Sequence, residues 1–322
     1  MVRRIDGASS LEHRPRSRLV AIGNFDGVHR GHRAVIEAAL REAHERRLSP
    51  VALTFHPHPA QVLGRGAQAP LTTLARKVEL LCSFSDELTV VVEPFTVALS
   101  ELSPAAFAAD CLVERLGASV VIVGDNFRFG HQRAGGLADL TRLGEQLGFA
   151  AHSSALSGDS DGPFSSTRVR AALASGDLAS ANHVLGRPHS LSGRVVHGDA
   201  RGRSIGVPTA NLAEVAEALP PNGVYAVLVD RSSDGVSSAL GRGVANIGVR
   251  PTSAAGFSVE AHLFDFDRDL YGQTLRLHLV ARLRDERKFS GLDELKAQIS
   301  RDILAAQSVL SAIPNPGGAA WY

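Results

Sequence analysis

The sequence predicts an α/β half followed by a mostly β half, two domains in one chain of 322 residues. Three observations predict it. Short aliphatic runs alternate with helical patterns between residues 18 and 185. Beyond about Gly186, strand-like runs follow one another with Gly, Ser, Asp and Pro turns between them instead of helices. The length suits two domains at roughly 100–200 residues each.

In the first half the runs Leu19–Ile22, Val51–Phe55, Leu88–Val92 and Val120–Val123 are aliphatic or β-branched, as strands covered on both faces are. A helix is expected over about 31–47. Another is expected from Ser103-Pro104, a cap with proline in the first turn, to a stop at Gly117. Strand–helix alternation of this kind indicates a parallel, Rossmann-like sheet. In the second half Gly223–Asp230, Arg242–Gly248, Phe257–Asp265 and Thr274–Val280 read as strands. Leu275, Leu277 and Leu279 alternate with polar residues, the pattern of a half-buried antiparallel strand. A closing helix is expected from about Leu292 to Leu310, giving a small antiparallel β-barrel with a C-terminal helix. The tail PNPGGAAWY is expected to be loose.

Composition narrows the function classes. Hydrophobic residues make up 44%, charged residues 21%, and the formal net charge is +1. No strong field points to nucleic acid or an anionic membrane. The N-terminal stretch lacks the apolar core of a signal peptide, and no run approaches the ~18 residues of a membrane helix, so a cytoplasmic protein is expected. Cys82 and Cys111 sit in apolar helical patterns without metal or redox spacing and read as buried free thiols.

AIGNFDGVHRGH, residues 21–32, ends the first strand and opens the first long helix. Ligands bind at that edge of a parallel sheet, and a helix N-terminus offers N–H groups and a positive dipole to phosphate. Gly23, Gly27 and Gly31 allow close backbone approach, while His29 and His32, three apart, can face one phosphate. Their imidazoles can donate to charge developing on a phosphoryl group. A plain tight turn, or a metal site including His56 and His58, is the competing reading. No GxxxxGK[ST] loop exists. VIVGDNFRFGHQRAGG, residues 121–136, follows another strand. Asn126 can hydrogen-bond there, and Phe127 and Phe129 either pack on a planar ring or belong to the core. FSSTRVR, residues 164–170, opens a helix with Ser165, Ser166 and Thr167 and carries Arg168 and Arg170.

GRVVHGDARGRSIGVPTANL, residues 193–212, is the most informative stretch of the second half. Gly198, Gly202 and Gly206 form a loop with Arg201 and Arg203 available to phosphate. Thr209 and Asn211 carry side-chain oxygens suited to Mg²⁺, which takes few protein ligands. A generic Gly-rich turn is the alternative. Glu260 interrupts a strand whose Val259, Ala261 and Leu263 form the opposite face, and there it either accepts a proton from an alcohol or is a solvated strand residue.

Taken together these segments resemble the prokaryotic bifunctional riboflavin kinase/FMN adenylyltransferase (FAD synthetase) family over about residues 18–310. The resemblance implies an adenylyltransferase domain over 1–185 and a riboflavin kinase domain over 186–322. It implies riboflavin, FMN and ATP as small-molecule substrates, Mg²⁺ as cofactor and FAD as product; a homo-oligomer is compatible with it. It places Gly23, Phe25, Asp26, Gly27, His29, Gly31 and His32 at an ATP site and Asn126 on a flavin-side loop. Ser166, Thr167 and Arg170 then hold adenylate and phosphates. In the kinase half it assigns metal and ATP to Thr209 and Asn211 and the catalytic base to Glu260. The chain departs from the family pattern at Gly136, Val207, Ser253 and Ala261. Gly136 bears on adenylylation, and the other three on flavin or nucleotide affinity in the kinase. A binding protein without turnover, or an enzyme with one activity, are the rival outcomes.

Overall fold

The computed structural model describes the chain apart from residues 1–3, 13–15, 65, 67, 156, 199–205, 234–235, 250–255 and 318. Packing divides it into two compact units, Met1–Gln68 with Leu74–Ser165, and Ala69–Thr73 with Ser166–Tyr322.

The first unit is built on six parallel strands, β1 (Arg4–Asp6), β2 (Arg18–Ile22), β3 (Ser49–His56), β4 (Thr89–Pro94), β5 (Ala118–Gly124) and β6 (Ala150–Ser154). Their order across the sheet is β1-β4-β3-β2-β5-β6. The aliphatic runs are strands because both faces are covered, and their alternate residues serve different cores. Val20, Ile22, Val51, Leu53, Val121 and Val123 face one core with Phe107, Cys111, Leu112 and Leu140. Leu19, Ala21, Ala52, Val90, Val120 and Ile122 face the other with Ile36, Ala39, Val78 and Leu81. The helices of this unit include α1 (Arg30–Arg46), α2 (Pro59–Val62), α3 (Leu74–Cys82), α4 (Val97–Glu101), α5 (Pro104–Ala106) and α6 (Leu137–Leu147). Beyond α6 comes a two-strand hairpin, β7 (Gly158–Asp159) and β8 (Gly162–Pro163). The chain winds outward from β2 through β3 to β4, then crosses to β5 and β6. The ends of β2 and β5 therefore flank the point where the winding direction changes, the usual ligand crevice of such sheets.

The expected Ser103–Gly117 helix is present with an unexpected interior. Ser103 caps α5, accepting from the Ala106 N–H at 3.1 Å, and Gly117 ends the helix at φ 57°. Between them Phe107–Arg115 winds as a π-helix. Cys111 is buried inside it and its thiol is pushed up to about 12, first by burial and then by Glu93. Cys82 is half-buried.

The second unit opens with α7 (Ser166–Ser175) and α8 (Leu178–Leu185) and continues into β9 (His189–Val196), β10 (Ala210–Ala213), β11 (Gly223–Ser233), β12 (Val236–Val249), β13 (Phe257–Leu263) and β14 (Thr274–Asp285). These six strands close an antiparallel barrel in the order β10-β13-β12-β11-β14-β9. Leu191, Leu212, Val227, Ile247, Val259, Ala261 and Leu277 are buried. On the other side of β11 and β12, Val224, Ala226, Leu228 and Val244 pack under Ala306 and Leu310 of α9 (Leu292–Ser311).

The tail is not loose. The Trp321 backbone N–H donates to Asp230 Oδ1 at 3.1 Å and its indole N–H to the Val229 carbonyl at 3.2 Å. The Ala239 N–H donates to the Ala319 carbonyl at 3.0 Å. Asp230 is fully buried, 2.8 Å from His278 Nε2, and Trp321 covers it. The tail docks because the barrel offers it an acceptor and an unpaired edge, which a reading of Pro and Gly content does not detect.

Candidate active site

At the β2–α1 turn, Phe25 (φ 48°), Gly27 (83°) and Val28 (40°) all lie in the left-handed region. Two non-glycine residues held there mark a turn that the surrounding packing over-determines. Phe25 and Asp26 are buried. Gly23 lies under the Phe25 ring, where a Cβ would stand 3.1 Å from its edge. Gly31 is more constrained, since a Cβ there would meet the Phe164 carbonyl at 2.7 Å.

His29 is the cap of α1. Its Nδ1 accepts from the His32 N–H and the His32 Nδ1 accepts from the His29 N–H, both at 3.3 Å. The rings stack with centroids 3.6 Å apart, and Phe25 meets His32 edge-on at 5.2 Å. A nitrogen that accepts cannot carry the proton in the neutral ring, so each neutral imidazole keeps its proton on Nε2. The reciprocal cap thus presets two ring N–H donors at a helix N-terminus.

Lys77 of α3 is a group the sequence reading passed over. It is 6% exposed, and burial holds its ammonium down at about 8 against the opposing pull of Asp26. His56, at the end of β3, is held below its usual range by burial and then by the charges of Lys77 and Arg4. His58 caps α2, accepting from the Ala60 N–H at 3.2 Å. Among the described residues no group of three or more His, Cys, Asp or Glu is placed to hold a metal ion.

Asn126 is exposed in the loop after β5. Phe127 and Phe129 stack on each other, centroids 5.5 Å apart, within the core cluster of Phe107 and Leu140. They are core residues. Gly136 caps α6, its N–H donating to Asp139 at 3.0 Å, and the Arg128 guanidinium stands 2.8 Å from where its Cβ would be. Ser166 and Thr167 begin α7 and Arg170 follows one turn later, all in the second unit. Arg170 donates to the Ala69 carbonyl at 2.6 Å.

On the barrel, Asn211 of β10 pairs directly with Glu260 of β13, and Glu260 pairs directly with Asn246 of β12. Direct partners on neighbouring strands share a face. Glu260 is half-buried between Val259 and Ala261, which point the opposite way and are buried. The alternation predicted around Glu260 is observed. Gly198 lies against Asn211 so closely that a Cβ would overlap the amide. Thr209 is half-buried just before β10, and Gly206 turns at φ 83°. Arg201, Gly202, Arg203 and Ser253 lie outside the described residues.

A FAD synthetase family model matches residues 11–168 and a riboflavin kinase model matches residues 185–310. The bifunctional riboflavin kinase/FMN adenylyltransferase of Escherichia coli (strain K12) is 41% identical over 307 residues, 94% of this chain and 96% of its own. The chain belongs to this family. The bifunctional riboflavin kinase/FMN adenylyltransferase of Bacillus subtilis (strain 168) is 36% identical, covering 88% of this chain and 90% of its own. Among solved structures, a macrolide-efflux protein from Streptococcus pneumoniae is 27% identical with a TM-score of 0.78, over 93% of this chain and 97% of that one. Among the described residues no helix is long and apolar enough to cross a membrane.

Proposed function

We propose that the chain makes FMN from riboflavin and ATP on its barrel, and FAD from FMN and ATP at the β2–α1 turn. The direct cross-strand pairing of Asn211 with Glu260 carries the reading. It sets a carboxylate beside an amide oxygen, with the Thr209 hydroxyl close by in the chain. We place the division of the activities at residues 185 and 186; the riboflavin kinase match begins at residue 185 and the FAD synthetase match ends earlier, at residue 168. The cytoplasm is the proposed location.

In the kinase step Glu260 accepts the proton of the ribityl 5′-hydroxyl as that oxygen attacks the γ-phosphorus, and ADP leaves. Thr209 and Asn211 fit Mg²⁺. Both bring hard neutral oxygens, and the bare backbone of Gly198 leaves the amide its room. Bound there, Mg²⁺ would supply positive charge to the ATP phosphates. In the adenylyl step the FMN phosphate is itself the nucleophile and needs no protein base. Its oxygen attacks the α-phosphorus, and pyrophosphate leaves. His29 and His32 donate through Nε2–H to the charge that develops. Asn126 serves as a flavin-side ligand.

Incubation of the purified chain with riboflavin, ATP and Mg²⁺, followed by chromatography, should show FMN and then FAD. Glu260→Gln should cut FMN formation by about 10²–10⁴ while FAD formation from supplied FMN persists. His32→Ala should do the reverse, lowering FAD formation by about 10²–10³. Equal loss of both activities in either variant would refute two independent sites.

A further inference from the structure

His262 follows Glu260 by two residues on β13, so the two side chains share the barrel's outer face. Its Nδ1 stands 2.8 Å from the Pro208 carbonyl. A carbonyl only accepts, so Nδ1 carries the proton. Pro208 has no N–H, which leaves that carbonyl as its one backbone hydrogen-bonding group. The bond falls where the ladder stops. β10 pairs with β13 from Ala210 onward, opposite Ala261, and Pro208 and Thr209 precede the first paired residue. The approach to β10 is therefore held by a side chain instead of by strand pairing. The imidazole is itself anchored, with Phe264 meeting it edge-on at 6.1 Å while packing in the cluster under α9.

We infer that His262 is a positioning residue for the kinase step, setting the Thr209 hydroxyl relative to Asn211 and Glu260 through the Pro208 carbonyl. The inference rests on the reading of Thr209 and Asn211 as the Mg–ATP residues. His262 touches no reacting atom. Its loss should weaken Mg–ATP binding selectively, because the reading gives Thr209 to the metal and ATP and not to the flavin.

The test uses the full chain and three substitutions. His262→Phe keeps a ring against Phe264 and removes the donor. His262→Asn restores an N–H at the same distance from Cβ. Thr209→Ala tests the underlying reading. The KM for Mg–ATP and the KM for riboflavin are measured in FMN formation, with FAD formation from FMN as the check on integrity. The Phe variant should raise the KM for Mg–ATP by about 10-fold, the lower end for groups that orient a metal's ligands. Its riboflavin KM and its FAD formation should stay near parental, and the Asn variant should recover most of the loss. A parental Mg–ATP KM in the Phe variant would overturn the inference, as would an Asn variant as impaired as Phe. Should the Phe barrel not fold, His262→Ala supplies the same comparison. If Thr209→Ala weakens Mg–ATP while His262→Phe does not, the inference alone fails. If neither substitution has an effect, the reading of Thr209 fails with it.

Discussion

Lys77 shows how far a single residue can depart from its sequence pattern. It stands between Arg76 and Val78 in LARKVELLC, yet it is buried on α3 beside Asp26, far away in the chain. Its ammonium is held near 8 in the folded unit against a reference of 10.5. Between those values the unfolded chain binds a proton that the folded one does not, so stability rises with pH across that window. Below pH 8 the burial penalty is fully present. Lys77→Met should therefore stabilise the first unit at pH 7, by up to about 3 kcal/mol at roughly 1.4 kcal/mol per pKa unit. It should also flatten the pH dependence between 8 and 10.5. Denaturant melts of parent and variant at pH 7 and pH 10 check this, and a stability difference that does not change with pH would refute it. The candidate residues His29, His32, Asn211 and Glu260 were legible because short-range patterns fix their local settings, a strand-to-helix turn and strand alternation. Lys77 and His262 were not, because their settings depend on partners brought from other elements.

At the scale of elements, legibility followed burial on both faces. The four aliphatic runs of the first half became β2, β3, β4 and β5, each extended by a residue or more at one or both ends. The edge strands β1 (RID) and β6 (AAHSS) carry no such run, since each has one neighbour and no fully buried position, and pairing rather than composition makes them strands. The glycines around β9 and β10 read as loop, which hides both strands. The C-terminal tail reads as loose for the opposite reason, its docking being encoded in the barrel. Trp321 stacks beneath the Arg242 guanidinium at 5.6 Å as well as donating to Asp230 and Val229. Trp321→Ala should lower the stability of the second unit by about 2 kcal/mol, below the range for a fully buried aromatic because the ring is only half-buried. Thermal unfolding followed by tyrosine fluorescence and circular dichroism checks it. An unchanged melting temperature would mean that the tail rests on the barrel without supporting it.

At the scale of the whole molecule, the change of texture at Gly186 marks where helices give way to strands, and packing draws its own line. α8 ends at Leu185, with Gly186 in the left-handed conformation at φ 73°. Both α7 and α8 nevertheless belong to the barrel's unit. Asn182 of α8 donates to the Leu279 carbonyl of β14 at 2.9 Å and accepts from the His189 N–H of β9 at 2.7 Å. Val169, Leu173, Leu178, Ala181, Val184 and Leu185 are buried along the two helices. A fragment beginning at Gly186 leaves the barrel closed but removes this cover. Burying one leucine or valine is worth about 1.5–3 kcal/mol, and this burial adds to the helices' own hydrogen bonds in offsetting the entropy of ordering two short helices. A fragment of residues 166–322 should therefore be the more stable by on the order of 3 kcal/mol. Both fragments should make FMN at low temperature, because Glu260, Thr209 and Asn211 all lie within residues 186–322. Denaturant titration and FMN formation by the two fragments decide the matter. Equal stability would show that α7 and α8 lie against the barrel without supporting it. A stable, folded 166–322 fragment that makes no FMN would show that the kinase site needs residues of the first unit.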